Sequence, residues 1–174
     1  MRLYPTKIPS IADEVIDSLV KTNDIAVHDA KEASLDVEAV LKEYVRLDRE
    51  VTDKAKDILE ERKLSYGQFG KIKRAIADER GFVMGEEGVN WMANQILEAF
   101  MQSQHIDEVF GDDDQLALTR KKIKDILLRN MQVDEELDEE VRNRIKNLQE
   151  GTAAWEVEYA KAMEQIKRKH GINE

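Results

Sequence analysis

The sequence contains no cysteine, and its only two prolines stand at positions 5 and 9 of 174 residues. Without cysteine the chain can form no disulfide, thiolate metal site or thiol nucleophile. Without proline after position 9, the rest of the chain lacks the main helix breaker. Aromatic residues make up only 6%, whereas 37% are charged and 41% are hydrophobic. This composition favours a helical protein with a buried core and an extensive charged surface.

Long apolar runs are also missing. No stretch approaches the roughly 18 apolar residues that a membrane-spanning helix requires. The opening residues 1–7 lack the apolar region of a signal peptide. We therefore expect a soluble, cytoplasmic protein with no membrane partner.

The charge balance is acidic and uneven. The formal net charge is −10; residues 1–81 contain 15 basic and 17 acidic residues, and residues 82–174 contain 12 and 20. Affinity for nucleic acid depends largely on neutralising phosphates with basic side chains. The overall balance therefore disfavours nucleic acid as a partner, although a local basic patch would keep it possible.

An internal repeat organises the sequence. An apolar ladder recurs at an offset of 81, with Ile11, Ala12, Val15, Ile16, Leu19 and Val20 matching Met92, Ala93, Ile96, Leu97, Phe100 and Met101. The long element that follows the ladder in each copy matches at an offset of 82 residues, and the C-terminal ends of the two copies match at an offset of 90 residues. We predict an all-α fold of two tandem repeats of a three-helix unit, residues 1–82 and 83–174, whose long central helices pack as helical bundles.

Cap and stop signals divide these repeats into helices. Serine, threonine or aspartate before an apolar period marks a helix start, and glycine marks its end. The signals predict helical stretches at residues 10–21, 34–63, 65–81, 87–104, 112–131, 134–148 and 152–171. Ser10, Ser65, Asp134 and Thr152 are the predicted caps.

The histidines show no metal-binding spacing. His28, His105 and His170 are far apart, and none has a second histidine three or four residues away. His28 and His105 each follow the first helix of a repeat, which favours a shared capping role. We predict no catalytic, cofactor-binding or metal-binding residue and no cofactor.

The densest charge cluster is the acidic run at residues 134–140. Carboxylates are ligands for hard metal ions, which keeps a metal-dependent enzyme open as an alternative. Acidic side chains in the first turns of a helix also interact favourably with its dipole, and this interpretation needs no ligand. Asp112, Asp113 and Asp114 lack the alternating ligands and central glycine of a calcium loop, so we expect them to cap a helix.

Basic residues concentrate in three short tracts, Lys71-Ile72-Lys73-Arg74, Arg120-Lys121-Lys122 and Lys167-Arg168-Lys169. Solvated helix faces explain them, and binding to nucleic acid is the alternative. Residues 67–70 are similar to the GxxG loop of KH domains, but the strands that should flank such a loop are not predicted. Trp91 and Trp155 fit the apolar stripes, so we expect core packing, with an interface role as the other interpretation.

Several segments resemble a known family. Residues 150–159, Glu-Gly-Thr-Ala-Ala-Trp-Glu-Val-Glu-Tyr, resemble a bacterial family catalogued as domain of unknown function 507. Residues 1–3, followed by the helix at residues 8–19, resemble it too, as do residues 137–142 and 168–171. The first half departs from the pattern, with Ser65 and Phe69 at the positions of Trp155 and Tyr159. The resemblance implies bacterial origin, an all-helical fold and a duplicated member. It brings no established activity.

These observations favour a non-enzymatic helical protein that serves as an interaction or scaffold module. Its expected partner is another protein or a second copy of itself. Two alternatives remain open: a nucleic-acid-associated protein that uses basic helix ends, and a metal-dependent enzyme that uses the acidic cluster at 134–140. Whether the protein is an enzyme is therefore undecided, with the balance leaning against catalysis.

Overall fold

A computed structural model describes residues 2–171, apart from the side chains of Val133 and Asp134. Six α-helices carry most of this part: α1 (Ile8–Lys21), α2 (Ala30–Glu61), α3 (Phe69–Arg80), α4 (Gly85–Gln102), α5 (Asp113–Arg144) and α6 (Ala153–Lys169). Two short strands, β1 (Ile25–Val27) and β2 (Ile106–Val109), accompany them. The all-α class is confirmed. Within residues 2–171, no helix is both long and apolar enough to cross a bilayer.

The starts of α1 and α2 differ from the predictions. Helix α1 begins at Ile8 rather than Ser10, and the Ser10 hydroxyl donates back to the Lys7 carbonyl at 3.0 Å. Pro9 fits this first turn because the amides there have no partner inside the helix. Helix α2 begins at Ala30 rather than Ser34, because the Asp29 carboxylate caps it by accepting from the Glu32 amide at 3.1 Å.

Of the other helix boundaries, some were predicted correctly and others were not. Thr152 caps α6 as predicted, accepting from the Trp155 amide at 3.2 Å. Gly81 ends α3 with a left-handed φ of 67°. The Ser65 side chain makes no capping bond, because a 3-10 turn, Tyr66–Gln68, precedes α3. The predicted break at Asp134 is wrong, since α5 continues without interruption to Arg144. The Asp134 side chain lies outside the described residues.

The chain divides into two compact units. Leu3–Asn130 forms one, and Met131 onward forms the other together with Arg2. In the unit Leu3–Asn130, α1, α3 and α4 each pack against α2. The division between the units falls at a different place from the proposed repeat boundary at residues 82 and 83. That boundary concerns the sequence repeat and stays a prediction.

The apolar ladders form the core of Leu3–Asn130. Buried side chains follow the predicted period through both ladders: Ile11, Ala12, Val15, Ile16 and Leu19 in α1, and Met92, Ala93, Ile96, Leu97 and Phe100 in α4. The last member of each ladder is exposed instead, Val20 by 38% and Met101 by 54%. Along α2 the buried side chains also recur at helical spacing: Val37, Leu41, Tyr44, Val51, Ala55 and Leu59.

The two strands form an antiparallel pair that the sequence did not predict. Ile25 pairs with Val109, Ala26 with Glu108 and Val27 with Ile106, with an irregularity between Ala26 and Val27. Ile25 and Ile106 are buried, so the pair closes over the core. Strands of three and four residues are too short to show an alternating pattern. The pair joins the segment after α1 to the segment after α4.

The unit from Met131 onward has a core of its own. Six side chains from the end of α5 and from α6 are buried together: Leu137, Val141, Ile145, Trp155, Ala162 and Ile166. Tyr159 and Met163 pack against this cluster. The prediction that Trp155 belongs to the core is confirmed, because only 8% of it is exposed. Trp91 is only half-buried.

Candidate interaction surface

Residues 62–77, here named the tip segment, combine positive charge with a complete absence of acidic residues. They run from the end of α2 through the connecting turn into α3. The 16 residues include five cations, in a chain that contains 37 acidic residues and has a net charge of −10. This is the longest interval of the sequence without aspartate or glutamate. The basic cluster at Lys71–Arg74 was predicted, but the length of the acid-free interval was missed; measuring the gaps between acidic residues would have found it.

Four of the five cations remain uncompensated in the structure. Lys73 is the exception, because its ammonium lies 2.8 Å from the Asp48 carboxylate of α2. Arg62, Lys63, Lys71 and Arg74 are exposed and make no ion pair within the described part of the chain. Lys71 and Arg74 are three residues apart in α3 and therefore share a face of the helix. The tip segment thus presents a local positive surface.

Two aromatic rings lie between these cations. Tyr66 and Phe69 stack with their ring centroids 5.2 Å apart and their planes within 4° of parallel. Both side chains are half-buried. Phe69 belongs to residues 67–70, which are similar to a GxxG loop, and Tyr66 immediately precedes them; this stretch forms a 3-10 turn and the start of α3. No strand of the described structure flanks it, so the comparison with KH domains does not hold at the level of the fold.

Lys63 adopts a backbone conformation that lysine rarely takes. Its φ is 52°, and the amide of the following Leu64 donates to the Leu59 carbonyl at 2.9 Å, closing the end of α2. Asn23 and Gly81 hold the same position after α1 and α3, with φ of 57° and 67°. Glycine and asparagine are the usual residues there, because a larger side chain is strained in the left-handed region.

Replacing Lys63 by glycine should therefore stabilise the protein by about 1 kcal/mol, because glycine relieves this strain. The matched control is Lys56→Gly, since Lys56 is exposed in the interior of α2. Glycine there should destabilise the helix by about 1 kcal/mol. Denaturant unfolding of both variants measures the difference. A loss of stability in Lys63→Gly comparable to that in Lys56→Gly would contradict the assigned strain.

The strand pair brings two of the histidines together. The His28 Nδ1 lies 2.6 Å from the Asp107 carboxylate, and the His28 and His105 ring centroids are 6.3 Å apart. The His28 imidazole therefore bonds across the strand pair rather than capping α1. His170 lies in the other unit, with its Nε2 2.8 Å from the Glu140 carboxylate. The contact between His28 and His105 was not predicted, because it depends on strands that were themselves not predicted.

Both carboxylate oxygens of the buried Asp24 accept hydrogen bonds. Oδ1 accepts from the Gln115 amide at 3.1 Å and from the Thr119 hydroxyl at 3.2 Å. Oδ2 accepts from the Thr22 hydroxyl and from the Lys122 ammonium at 2.7 Å. We name this set the Asp24 network. Asp24 is fully buried, as is Thr119, whereas 39% of the Lys122 side chain is exposed.

The Asp24 network is suited to holding structure rather than to catalysis. Burial alone raises the pKa of Asp24, but the hydrogen bonds from Lys122, Thr22 and Gln115 outweigh it and lower the pKa below its ordinary value. A general base needs a pKa near the working pH and access to the proton it removes. Asp24 has neither, and it fastens the turn after α1 to α5.

Two members of the acidic run at 134–140, Asp138 and Glu140, are engaged in ion pairs. Glu140 contacts His170 at 2.8 Å and Lys169 at 3.4 Å; the hydrogen bond from His170 is the main cause that lowers the pKa of Glu140, against a smaller opposing effect of burial. Asp138 accepts from Arg142 at 2.8 Å and from the Tyr159 hydroxyl. Among the described residues, no three His, Cys, Asp or Glu side chains are grouped to hold a metal ion.

Three of the segments that carry the family resemblance, residues 137–142, 150–159 and 168–171, lie in this unit. The Arg142 guanidinium lies 2.8 Å from both Asp138 and Glu150 and 5.3 Å from the centre of the Trp155 ring. Trp155 stacks on Tyr159 with centroids 4.8 Å apart. Burial alone lowers the pKa of Arg142, but its bonds to Glu150 and Asp138 outweigh this effect and raise the pKa above its ordinary value, so the residue stays charged. These contacts connect α5 with α6.

An aromatic cleft in the unit Leu3–Asn130 contains Trp91. Its volume is about 90 Å³, and Tyr44, Phe82 and Trp91 line it. The Tyr44 hydroxyl donates to the Val83 carbonyl at 3.1 Å, and burial, assisted by the charge of Asp48, raises the pKa of Tyr44 to about 12. A Cβ at Gly88 would lie 2.2 Å from that hydroxyl, so only glycine fits. Pockets for small-molecule ligands usually measure about 300–1,000 Å³, so this cleft is a packing feature.

Comparison with known proteins agrees with the resemblance seen in the sequence. Curated proteins provide no match to the chain. A family model with the description "Protein of unknown function (DUF507)" matches residues 1–172, nearly the whole chain. A match of this extent includes both predicted repeats and every segment that carried the resemblance. The chain therefore belongs to the DUF507 family.

Proposed function

We propose that this protein is a non-enzymatic helical interaction module that binds an anionic partner through the tip segment. The observation that carries the proposal is the set of four exposed, unpaired cations within an acid-free interval of an acidic protein. Unpaired like charges repel one another, and an anionic partner relieves that repulsion. We keep the bacterial cytoplasm as the expected compartment.

The pairing of the carboxylates whose pKa values are shifted supports a binding role over catalysis. Catalytic groups commonly have pKa values shifted towards the working pH. The shifted carboxylates among the described residues, Asp24, Glu43 and Glu140, have pKa values lowered by hydrogen bonds from neighbouring side chains. Such groups stay ionised and engaged at neutral pH, as expected of structural ion pairs.

A tandem duplication forms part of the proposal, and the order of elements supports it. Helices α2 and α5 each contain 32 residues, and each follows a helix and a short strand. At the offset of 90, the tip segment corresponds to residues 152–167, which include Glu156, Glu158 and Glu164. Under this proposal, only the first repeat has an anion-binding tip.

Affinity purification from a bacterium that carries the protein tests the proposal. The tip variant is Lys71→Glu with Arg74→Glu. The control is Arg120→Glu with Lys121→Glu, because this exposed pair undergoes the same change in charge outside the tip segment. We expect the parent protein and the control to retain one stoichiometric anionic partner that the tip variant loses. Retention by all three proteins, or no retained partner with the parent protein, would refute the assignment of the tip segment.

A further inference from the structure

We propose that the anionic partner is a single-stranded nucleic acid, held by its phosphates on the tip cations and by a base on the stacked rings of Tyr66 and Phe69. This inference rests on the proposed function and specifies its partner. It draws on the position of the aromatic rings relative to the charges, which the proposed function does not use.

The cations bracket the aromatic pair along the chain. Arg62 and Lys63 precede it, whereas Lys71 and Arg74 follow it in the first turns of α3. Phe69 and Arg74 are five residues apart, which corresponds to about 8 Å along the helix axis. Alternation of basic side chains with aromatic rings is the arrangement by which proteins bind single strands, with phosphates on the cations and bases on the rings.

The aromatic pair distinguishes a nucleobase from an acidic protein segment. An acidic segment would use the cations alone, whereas an unpaired base can extend a stack of flat rings. The planes of Tyr66 and Phe69 differ by only 4°, so the pair offers a flat platform. Bases in a duplex are already stacked and paired, and they become available to such a platform only in a single strand.

The backbone beside the rings is accessible. Apart from its two chain neighbours and the nearby backbone of α3, a Cβ placed on Gly70 would meet no atom within 4 Å, so no other part of the protein covers this position. Gly70 lies between Phe69 and Lys71, where a strand that stacks on the ring would pass towards the cation. The strained backbone of Lys63 agrees with this role, because glycine at that position would remove the strain and also the charge.

Fluorescence anisotropy with labelled 12-nucleotide oligomers tests the inference on the full-length protein. The probes are oligouridylate, oligothymidylate, a 12-base-pair duplex and polyglutamate. We expect both single strands to bind more tightly than the duplex and polyglutamate. With four phosphates neutralised, affinity should fall about fiftyfold between 50 and 200 mM salt. Lys71→Glu with Arg74→Glu should weaken binding by at least about tenfold, and Arg120→Glu with Lys121→Glu by less than about twofold.

A second variant separates stacking from charge. Phe69→Leu keeps the apolar contact and every charge but removes the ring, so we expect about tenfold weaker binding with an unchanged salt dependence. Tyr66→Leu provides the same test if Phe69→Leu disturbs the fold, which circular dichroism would detect. Equal binding of polyglutamate and single strands, or unchanged binding in both leucine variants, would overturn the inference while the proposed function stands. Duplex binding as tight as single-strand binding would also overturn it. Failure of every anionic probe at low salt would contradict both proposals.

Discussion

Substitution of Ile16 by aspartate is expected to destabilise the unit Leu3–Asn130 by about 3–5 kcal/mol, because an unpaired charge would be buried. Ile16 lies in the middle of α1 with no exposed surface. Leu97→Asp should have a similar effect from α4, where Leu97 is 5% exposed. A loss of this size is a large part of the stability of an ordinary domain. Denaturant unfolding followed by circular dichroism measures it.

The ends of the same ladders supply matched controls. Val20 and Met101 belong to the repeated apolar pattern but are 38% and 54% exposed. Val20→Asp and Met101→Asp should change the free energy of unfolding by less than about 1 kcal/mol, because the new carboxylate stays in water. If Ile16→Asp and Val20→Asp unfold at the same denaturant concentration, the buried face of α1 is assigned wrongly.

The interior of the fold was predictable because apolar residues at helical spacing mark the buried face of a helix. Ile11, Val15 and Leu19 recur at helical spacing, and the structure buries all three. The ends of helices were harder to predict, since the local pattern cannot show where neighbouring elements stop covering a face. Val20 therefore looks like a core residue in the sequence and is exposed in the structure.

The missed features depend on contacts between distant residues. Ile25 and Val109 pair across 84 positions, and Gln115 reaches Asp24 across 91. No local pattern encodes such a pair. The sequence showed Asp24 only as part of a polar break after α1, and it showed the acidic residues after Met131 as caps of a new helix. In the structure α5 passes through that region without a break, because acidic residues are compatible with a helix interior.

The candidate surface was predictable in part. Lys71 and Arg74 were visible as a basic tract, and nucleic-acid association through basic helix ends was one of the open alternatives. The conformation of Lys63 and the parallel stacking of Tyr66 on Phe69 were not visible, since both depend on the geometry of the turn between α2 and α3. The ion pairs of the basic tract could not be predicted either, because only the structure shows that Asp48 pairs with Lys73 and that Lys71 and Arg74 stay unpaired.

The Asp24 network should be the most sensitive polar site of the unit Leu3–Asn130. Asp24→Asn replaces one carboxylate oxygen by an amide donor, so either the ammonium of Lys122 or the amide of Gln115 loses its acceptor and faces another donor. Hydrogen bonds to charged groups contribute roughly 1.5–3 kcal/mol each, so we expect a loss of about 3 kcal/mol at pH 7. Asp17→Asn is the control, because Asp17 is exposed on α1 and has no partner in the described part of the chain. Its effect should stay within about 0.5 kcal/mol.

The pH dependence of this loss identifies its cause. The pKa of Asp24 in the folded protein lies below its ordinary value, so the charged carboxylate stabilises the fold fully at pH values above the unfolded pKa of about 3.9. That stabilisation is lost as the pH falls through the lowered folded pKa. The difference in free energy of unfolding between the parent protein and Asp24→Asn should therefore narrow only below about pH 4.

A second variant, Lys122→Met, removes the cation, so we expect burial to dominate and to raise the folded pKa of Asp24. The difference in free energy of unfolding between the parent protein and Lys122→Met should therefore begin to narrow above pH 4. Identical pH profiles for the two variants would show that Lys122 does not control the charge of Asp24.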